Sequence, residues 1–264
     1  MPISLPTSRS RVNGSSTSSA RSRTSSRRHF GRWACLGSSC ETCWIDVAKR
    51  ALVAMMAEPA GGEMPIPETD ELGRYLEDTI TIDWQTPDVM STARMLLDAL
   101  EEPEARIRRL FTFVRDEIAD SLDTPTAART CRASEVLRER TGLCYARSHL
   151  LAALLRFAGF PAGFCYARWR DDDRPGRFVL HGFNAVYLAA KKDWVHLDLG
   201  CGSGGMRTEC RLSAPWSLAR WPDAEAGEAF LPFIYKRPGK RIIDLFERAP
   251  DFEAVRRNLP DALT

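Results

Sequence analysis

Hydrophobic positions along the 264-residue chain fall into two regimes, a helical repeat up to about residue 160 and a strand-like alternation after it. From Tyr75 the pattern becomes regular. Ile80, Ile82 and Trp84 alternate as a short strand would, and Thr86-Pro87 then opens a helix. Val89, Ala93, Leu96, Leu97 and Leu100 repeat on one face of it. A second helix begins near Pro103 and carries Ile107, Leu110, Phe111, Val114 and Ile118 at i, i+3, i+4, i+7 spacing. A short helix over Ala133–Arg140 leads to Thr141-Gly142-Leu143-Cys144. There Thr141 reads as the N-cap of a helix whose Leu150, Leu151, Leu154 and Leu155 make it apolar over much of its surface. That helix ends at Gly159 with Pro161 just beyond.

Three strands follow, Phe164–Trp169, Phe178–Leu188 and Trp194–Leu199, joined by short charged connections that make them antiparallel neighbours. Four prolines between Gly200 and Pro238 predict loops. Ile242, Leu245 and Phe246, then Phe252, Val255 and Leu259, predict two short C-terminal helices. Helices first and an antiparallel sheet after them specify an α+β domain with a central buried helix.

Composition sharpens the boundaries. Seven arginines precede the first acid, Glu41, so the overall charge of +2 conceals a body of net −5. An acidic body argues against nucleic acid as a partner. Residues 1–70 read as a disordered Ser/Arg-rich extension or sequence upstream of the true start, and 71–264 as one domain with its core over 130–200. No stretch approaches the ~20 apolar residues of a membrane span, and no apolar leader is evident. The eight cysteines are irregularly spaced and read as reduced thiols of a cytoplasmic protein. Cys35, Cys40 and Cys43, with His29 upstream, lack the second ligand pair of a zinc ribbon, so no metal site is expected.

Residues 196–205, HLDLGCGSGG, look like the S-adenosylmethionine loop of a methyltransferase. Such a loop works by feeding a helix N-terminus inside a parallel βαβ unit. Here the preceding strands are antiparallel, no convincing helix follows Gly205, and no acid closes a second strand about 20 residues on. No cofactor is therefore expected, and the glycines read as a flexible turn leaving a strand.

A different chemistry is laid out in order along the chain. Cys144 lies in the first turn of the most apolar helix, where unpaired N–H groups and the helix dipole favour a thiolate. His181 lies mid-strand in FVLHGFNAVYL. If the hairpin centres near Ala190–Lys191, Gly200 stands opposite His181, and Asp198 shares its face. Asp198 can then orient the imidazole while the other ring nitrogen faces the thiol, which makes a nucleophile, base and acid triad. His196 shares the strand face of Asp198 and reads as a surface histidine able to compete for it, and His149 as one that packs or meets solvent. The backbone N–H of Cys144 is the evident oxyanion donor.

RTGLCYARSHLLAALLRFAGFPAGF (140–164), HGFNAVYL (181–188) and WVHLDL (194–199) together resemble the core blocks of the transglutaminase-like superfamily, especially its small stand-alone bacterial members. The resemblance covers about residues 75–260. It implies a papain-like core with Cys144 as nucleophile, His181 as general base and then acid, and Asp198 as orienting acid. It also implies acyl transfer from a peptide, protein or small amide through a thioester, to water or to an amine. Within the superfamily some folds are catalytically silent, so a binding module is the alternative and a methyltransferase the third reading.

Overall fold

Pro87 and Pro103 each occupy the first turn of a helix, where a missing N–H costs nothing and a fixed φ is already helical. In the computed structural model, which describes residues 63–124, 128–202 and 208–263, these open α1 (Pro87–Leu97) and α2 (Pro103–Glu117). α3 (Ala133–Glu139) and α4 (Cys144–Phe157) follow. Every residue of α4 from Cys144 to Arg156 is buried, as its all-round apolar character demands. Gly159, at a φ of 85° that only glycine adopts freely, ends this segment.

The sheet is formed by β4 (Ala162–Arg170), β5 (Phe178–Leu188) and β6 (Asp193–Leu197). A two-residue strand, β7 (Ala229–Phe230), completes it in the order β6-β5-β4-β7, antiparallel throughout. Phe164, Tyr166, Val186, Leu188, Val195 and Leu197 share one hydrophobic core with the α4 leucines. Cys165, Ala167, Trp169, Phe183, Ala185 and Trp194 form a second core with Tyr75, Leu218 and Ile234. α5 (Lys240–Arg248) and α6 (Phe252–Arg257) close the chain, giving an α+β architecture with a buried helix packed on an antiparallel sheet.

Several local expectations are corrected. Residues 80–84 form a turn and not a strand: Thr79 Oγ1 accepts from Ile82 N–H at 3.0 Å, and Ile82 points inward while Ile80 is 74% exposed. Order also begins before residue 71. Two-residue strands β1 (Ile66–Pro67) and β8 (Phe233–Ile234) pair in parallel, and the Tyr75 hydroxyl donates to Ile234 O. The rest of the expected extension, with Cys35, Cys40 and Cys43, lies outside the described residues. No described helix is long and apolar enough to cross a membrane.

Thr141 does not cap α4. It lies in β3 (Thr141–Gly142), paired in parallel with β2 (Ala119–Asp120), and Leu143 is the N-cap without a side-chain hydrogen bond. The first turn of α4 therefore keeps N–H groups that no capping side chain satisfies.

Because α4 is the hub of this packing, Leu154→Ala should lower stability by about 2–5 kcal/mol, the usual cost of an emptied leucine site. Met95→Ala, at a side chain 66% exposed, should change it by less than about 0.5 kcal/mol. Urea midpoints at unchanged m-value would measure both.

Candidate active site

The site begins with a missing side chain. A Cβ placed on Gly182 would stand 2.8 Å from Cδ1 of Tyr145, so the ring of Tyr145 lies directly on the β5 backbone where a larger residue would hold it off. The Tyr145 hydroxyl donates to Leu180 O, and Asn184 Nδ2 donates to Ser148 O at 3.2 Å and to Gly163 O at 3.1 Å. These contacts draw the first turns of α4 against β5. Cys144 precedes Tyr145 and His181 precedes Gly182, so the same apposition delivers the thiol to the imidazole.

The β5–β6 register, with Asn184 opposite Leu197 and Ala185 opposite His196, continues to place Gly200 opposite His181. Asp198 comes diagonally within reach, and His181 Nε2 lies 2.9 Å from Asp198 Oδ1. Gly200 N–H also donates to Oδ1 and Ala219 N–H to Oδ2, both at 2.8 Å. Three donors thus compensate a carboxylate that is 1% exposed. Burial alone pushes the Asp198 pKa up; the His181 charge and the three hydrogen bonds outweigh it, and the net shift is downward from 3.8. For His181, burial pulls the pKa down but the Asp198 charge and hydrogen bond prevail, aided by the Cys144 and Cys201 thiols, so the imidazole protonates well above 6.5.

Cys144, His181 and Asp198, the three residues singled out from sequence, therefore converge. Cys144 is 9% and His181 3% exposed. Trp169 stacks on the imidazole with centroids 4.2 Å apart and planes 8° from parallel, and the Arg220 guanidinium lies over the indole's ring at 4.8 Å. A cleft of about 870 Å³ opens beside this stack, lined in part by Trp169, Val179, Cys201, Ala219 and Arg220. Trp169, Ala219, Arg220 and Cys201 were missed from sequence. Only the conspicuous cysteine between two glycines could have signalled any of them.

The other two histidines among the described residues separate from the site. His149 is buried, with Nδ1 2.7 Å from Cys131 O, and burial lowers its pKa to about 4. His196 is no surface residue: it is buried against Phe183 and Trp216, and burial lowers its pKa to about 4 as well. Asp198 bonds His181 alone of the two strand histidines.

The loop after Asp198 is not a flexible turn over the residues described, 198–202. Arg147, one turn along α4 from Cys144, is 4% exposed and pairs with the buried Asp120 at 3.3 Å. It also donates to Gly200 O at 3.3 Å and Leu199 O at 3.5 Å. Asp120 Oδ2 in turn accepts from Gly202 N–H at 3.1 Å. The methyltransferase reading fails on this geometry: the strands before the loop are antiparallel, and the next described helix begins only at Lys240.

Residues 91–199 match the family model described as the transglutaminase-like superfamily. A Cytophaga hutchinsonii protein proposed to be a cysteine protease aligns at 16% identity and a TM-score of 0.40, over 50% of this chain and 42% of its own. The periplasmic domain of TgpA from Pseudomonas aeruginosa gives 21% and 0.37 over 50% and 48%, and red sea bream transglutaminase 13% and 0.31 over 50% and 26%. The chain thus spans less than half the length of each of these structures. No protein of curated function matches it in sequence.

Two outcomes follow from the geometry. Gly182→Ala should force Tyr145 off β5 and lower the melting temperature, as an overpacked core position does at about 1–3 kcal/mol. Asp198→Asn should destabilise in a defined pH window. The His181 contribution is complete below 6.5 and fades as pH rises through its raised folded value; the Asp198 contribution is complete above 3.8 and fades as pH falls. The stability difference from wild type, followed by urea denaturation against pH, should peak between 3.8 and 6.5 and shrink on both sides.

Proposed function

We propose that this chain, with its transglutaminase-like core, is a cysteine-dependent enzyme that transfers the acyl group of an amide through a thioester on Cys144. The observation that carries the reading is the meeting of three groups: a thiol at the start of a buried helix and an imidazole whose Nε2 is held 2.9 Å from a buried carboxylate.

In this reading His181 takes the proton of Cys144, and the sulfur attacks the amide carbonyl carbon. Asp198 supports the resulting imidazolium, consistent with a histidine that favours its protonated form. The carbonyl oxygen becomes an oxyanion beside the Cys144 N–H, which no capping side chain occupies. His181 then returns the proton to the leaving nitrogen as the C–N bond breaks, leaving the thioester. Water or an amine completes the transfer, with His181 again as base. A cleft of about 870 Å³ is of the size that accepts a small ligand or several peptide side chains. Its apolar floor at Trp169 and Val179 and its arginine and aspartate rim suit a peptide or small-amide donor.

The decisive experiment incubates the full-length protein with a library of peptide and small-molecule amides and seeks the acyl adduct by mass spectrometry. An adduct on Cys144, absent from Cys144→Ala and strongly reduced in His181→Ala, is expected; turnover should fall by about 10³-fold or more in either variant. Turnover persisting in Cys144→Ala would overturn the reading. A folded protein that forms no adduct with any amide would leave the fold as a binding module. Adding a primary amine and weighing the products separates transamidation from hydrolysis.

A further inference from the structure

Cys201 is the part of the glycine-rich stretch that the proposed chemistry leaves without a role, and its placement is unusually controlled. It sits between Gly200 and Gly202, whose φ values of 76° and 63° lie in the left-handed region. The loop is clamped on either side of it, by Asp198 and Arg147 at Gly200 and by Asp120 at Gly202. The clamp holds the thiol on the imidazole's side of the cleft: Cys201 lines it together with Trp169, whose indole stacks on His181, and the Cys144 and Cys201 thiols both favour the charged ring. Both thiols are free. Cys201 is half-buried and lines the cleft, whereas Cys144 is buried. Cys201 also packs against the hydrophobic core that contains Cys144 and Tyr145.

Two thiols beside one ring, one buried and one lining an open cleft, form a pair with distinct oxidative roles. We infer that Cys201 is a resolving cysteine, which captures an oxidised Cys144 as a Cys144–Cys201 disulfide and so closes the site reversibly. The oxidant is a hydroperoxide. The Cys144 sulfur attacks its distal oxygen, the O–O bond breaks, and the departing oxygen takes a proton to leave as water or an alcohol. The Cys144 sulfur, now a sulfenic acid, has lost two electrons and the peroxide has gained them. The Cys201 sulfur then attacks the sulfenic sulfur. The S–S bond forms as the S–O bond breaks, and the hydroxyl leaves as water with the Cys201 proton. Two thiols and one peroxide thereby yield one disulfide with no unpaired step. The residue that resolves the sulfenic acid protects it from further, irreversible oxidation.

The inference rests on the convergence of the two thiols and shares Cys144 with the proposed acyl transfer, but its readout needs no amide substrate. Trypsin places every cysteine of the described fold in a separate peptide, with Cys144 in Thr141–Arg147 and Cys201 in Asp193–Arg207. The reduced full-length protein is treated with hydrogen peroxide at increasing ratio, free thiols are alkylated, and peptides are mapped without reduction. The expected product is one cross-linked species joining Thr141–Arg147 to Asp193–Arg207, lost on addition of dithiothreitol. In Cys201→Ser the cross-link should vanish, and Cys144 should instead gain two oxygens as a sulfinic acid that dithiothreitol does not restore. In Cys165→Ser, a buried cysteine outside the pair, the cross-link should persist. Sulfinic acid accumulating on Cys144 of the wild type without the cross-link, or cross-links to Cys131, Cys165 or Cys210, would overturn the inference. A cross-link formed by a protein that yields no acyl adduct would remove the acyl-transfer reading alone, and an acyl adduct without the cross-link would remove the resolving role alone.

Discussion

Everything in the site depends on how closely α4 approaches β5, and that approach is set by the absence of a side chain at Gly182. Helix and sheet normally stand apart by the thickness of the side chains between them; here the Tyr145 ring rests on bare backbone. Tyrosine suits the position because its body is apolar enough for the core while its hydroxyl satisfies Leu180 O. The contact fixes not only the distance between the elements but also their phase, since Ser148 O and Gly163 O are both bonded to one amide, that of Asn184. Once the phase is fixed, the residue before Tyr145 and the residue before Gly182 have little choice but to meet.

The polar groups so gathered are almost fully removed from water, which raises the stakes of each hydrogen bond. A buried carboxylate without partners would protonate or unfold its surroundings. Asp198 is held ionised by an imidazole and two backbone N–H groups, one from its own loop and one, Ala219, from a segment distant in sequence. The buried Arg147–Asp120 pair solves the same problem one turn further along α4, with the two Nη groups of the arginine also donating to Gly200 O, Leu199 O and Arg115 O. Breaking either network would strand a buried charge, and both networks include the short loop after β6. Residues 198–202 are thus pinned for electrostatic reasons, although their composition suggests the opposite.

This explains what could be read from the residues alone. Periodicity located α1, α2, α4 and the three long strands because each buries a continuous face, and a hairpin centre near Ala190 was enough to set Gly200 opposite His181. The positions of Cys144, His181 and Asp198 were legible for that reason: Cys144 opens α4, His181 lies in β5 and Asp198 directly follows β6, so the burial of those elements fixes the phase of each. Residues 80–84 misled because alternation over so few positions describes a turn as well as a strand. Thr141 misled because a capping residue and a strand residue share the same extended backbone, and β3 claimed it. Trp169 lies on a predicted strand, but its stacking on His181 is a diagonal contact that requires the register first. Ala219 acts through its backbone N–H, which no side-chain pattern records, and Arg220 reaches Trp169 from a loop with no period at all.

The glycine-rich stretch shows how a motif can keep its physics and change its meaning. In a cofactor-binding loop, glycines expose successive N–H groups that an anion from outside accepts. Here the N–H groups of Gly200 and Gly202 are also turned toward anions, but those anions are the carboxylates of Asp198 and Asp120, held inside the protein. A loop whose donors are already spent on two internal charges has none to offer a phosphate or a carboxylate ligand at those positions. What it can offer is direction: with both flanking residues pinned, the side chain between them is aimed as firmly as one on a helix. That side chain is a thiol, and it lines the cleft beside Trp169, whose indole stacks on the His181 imidazole.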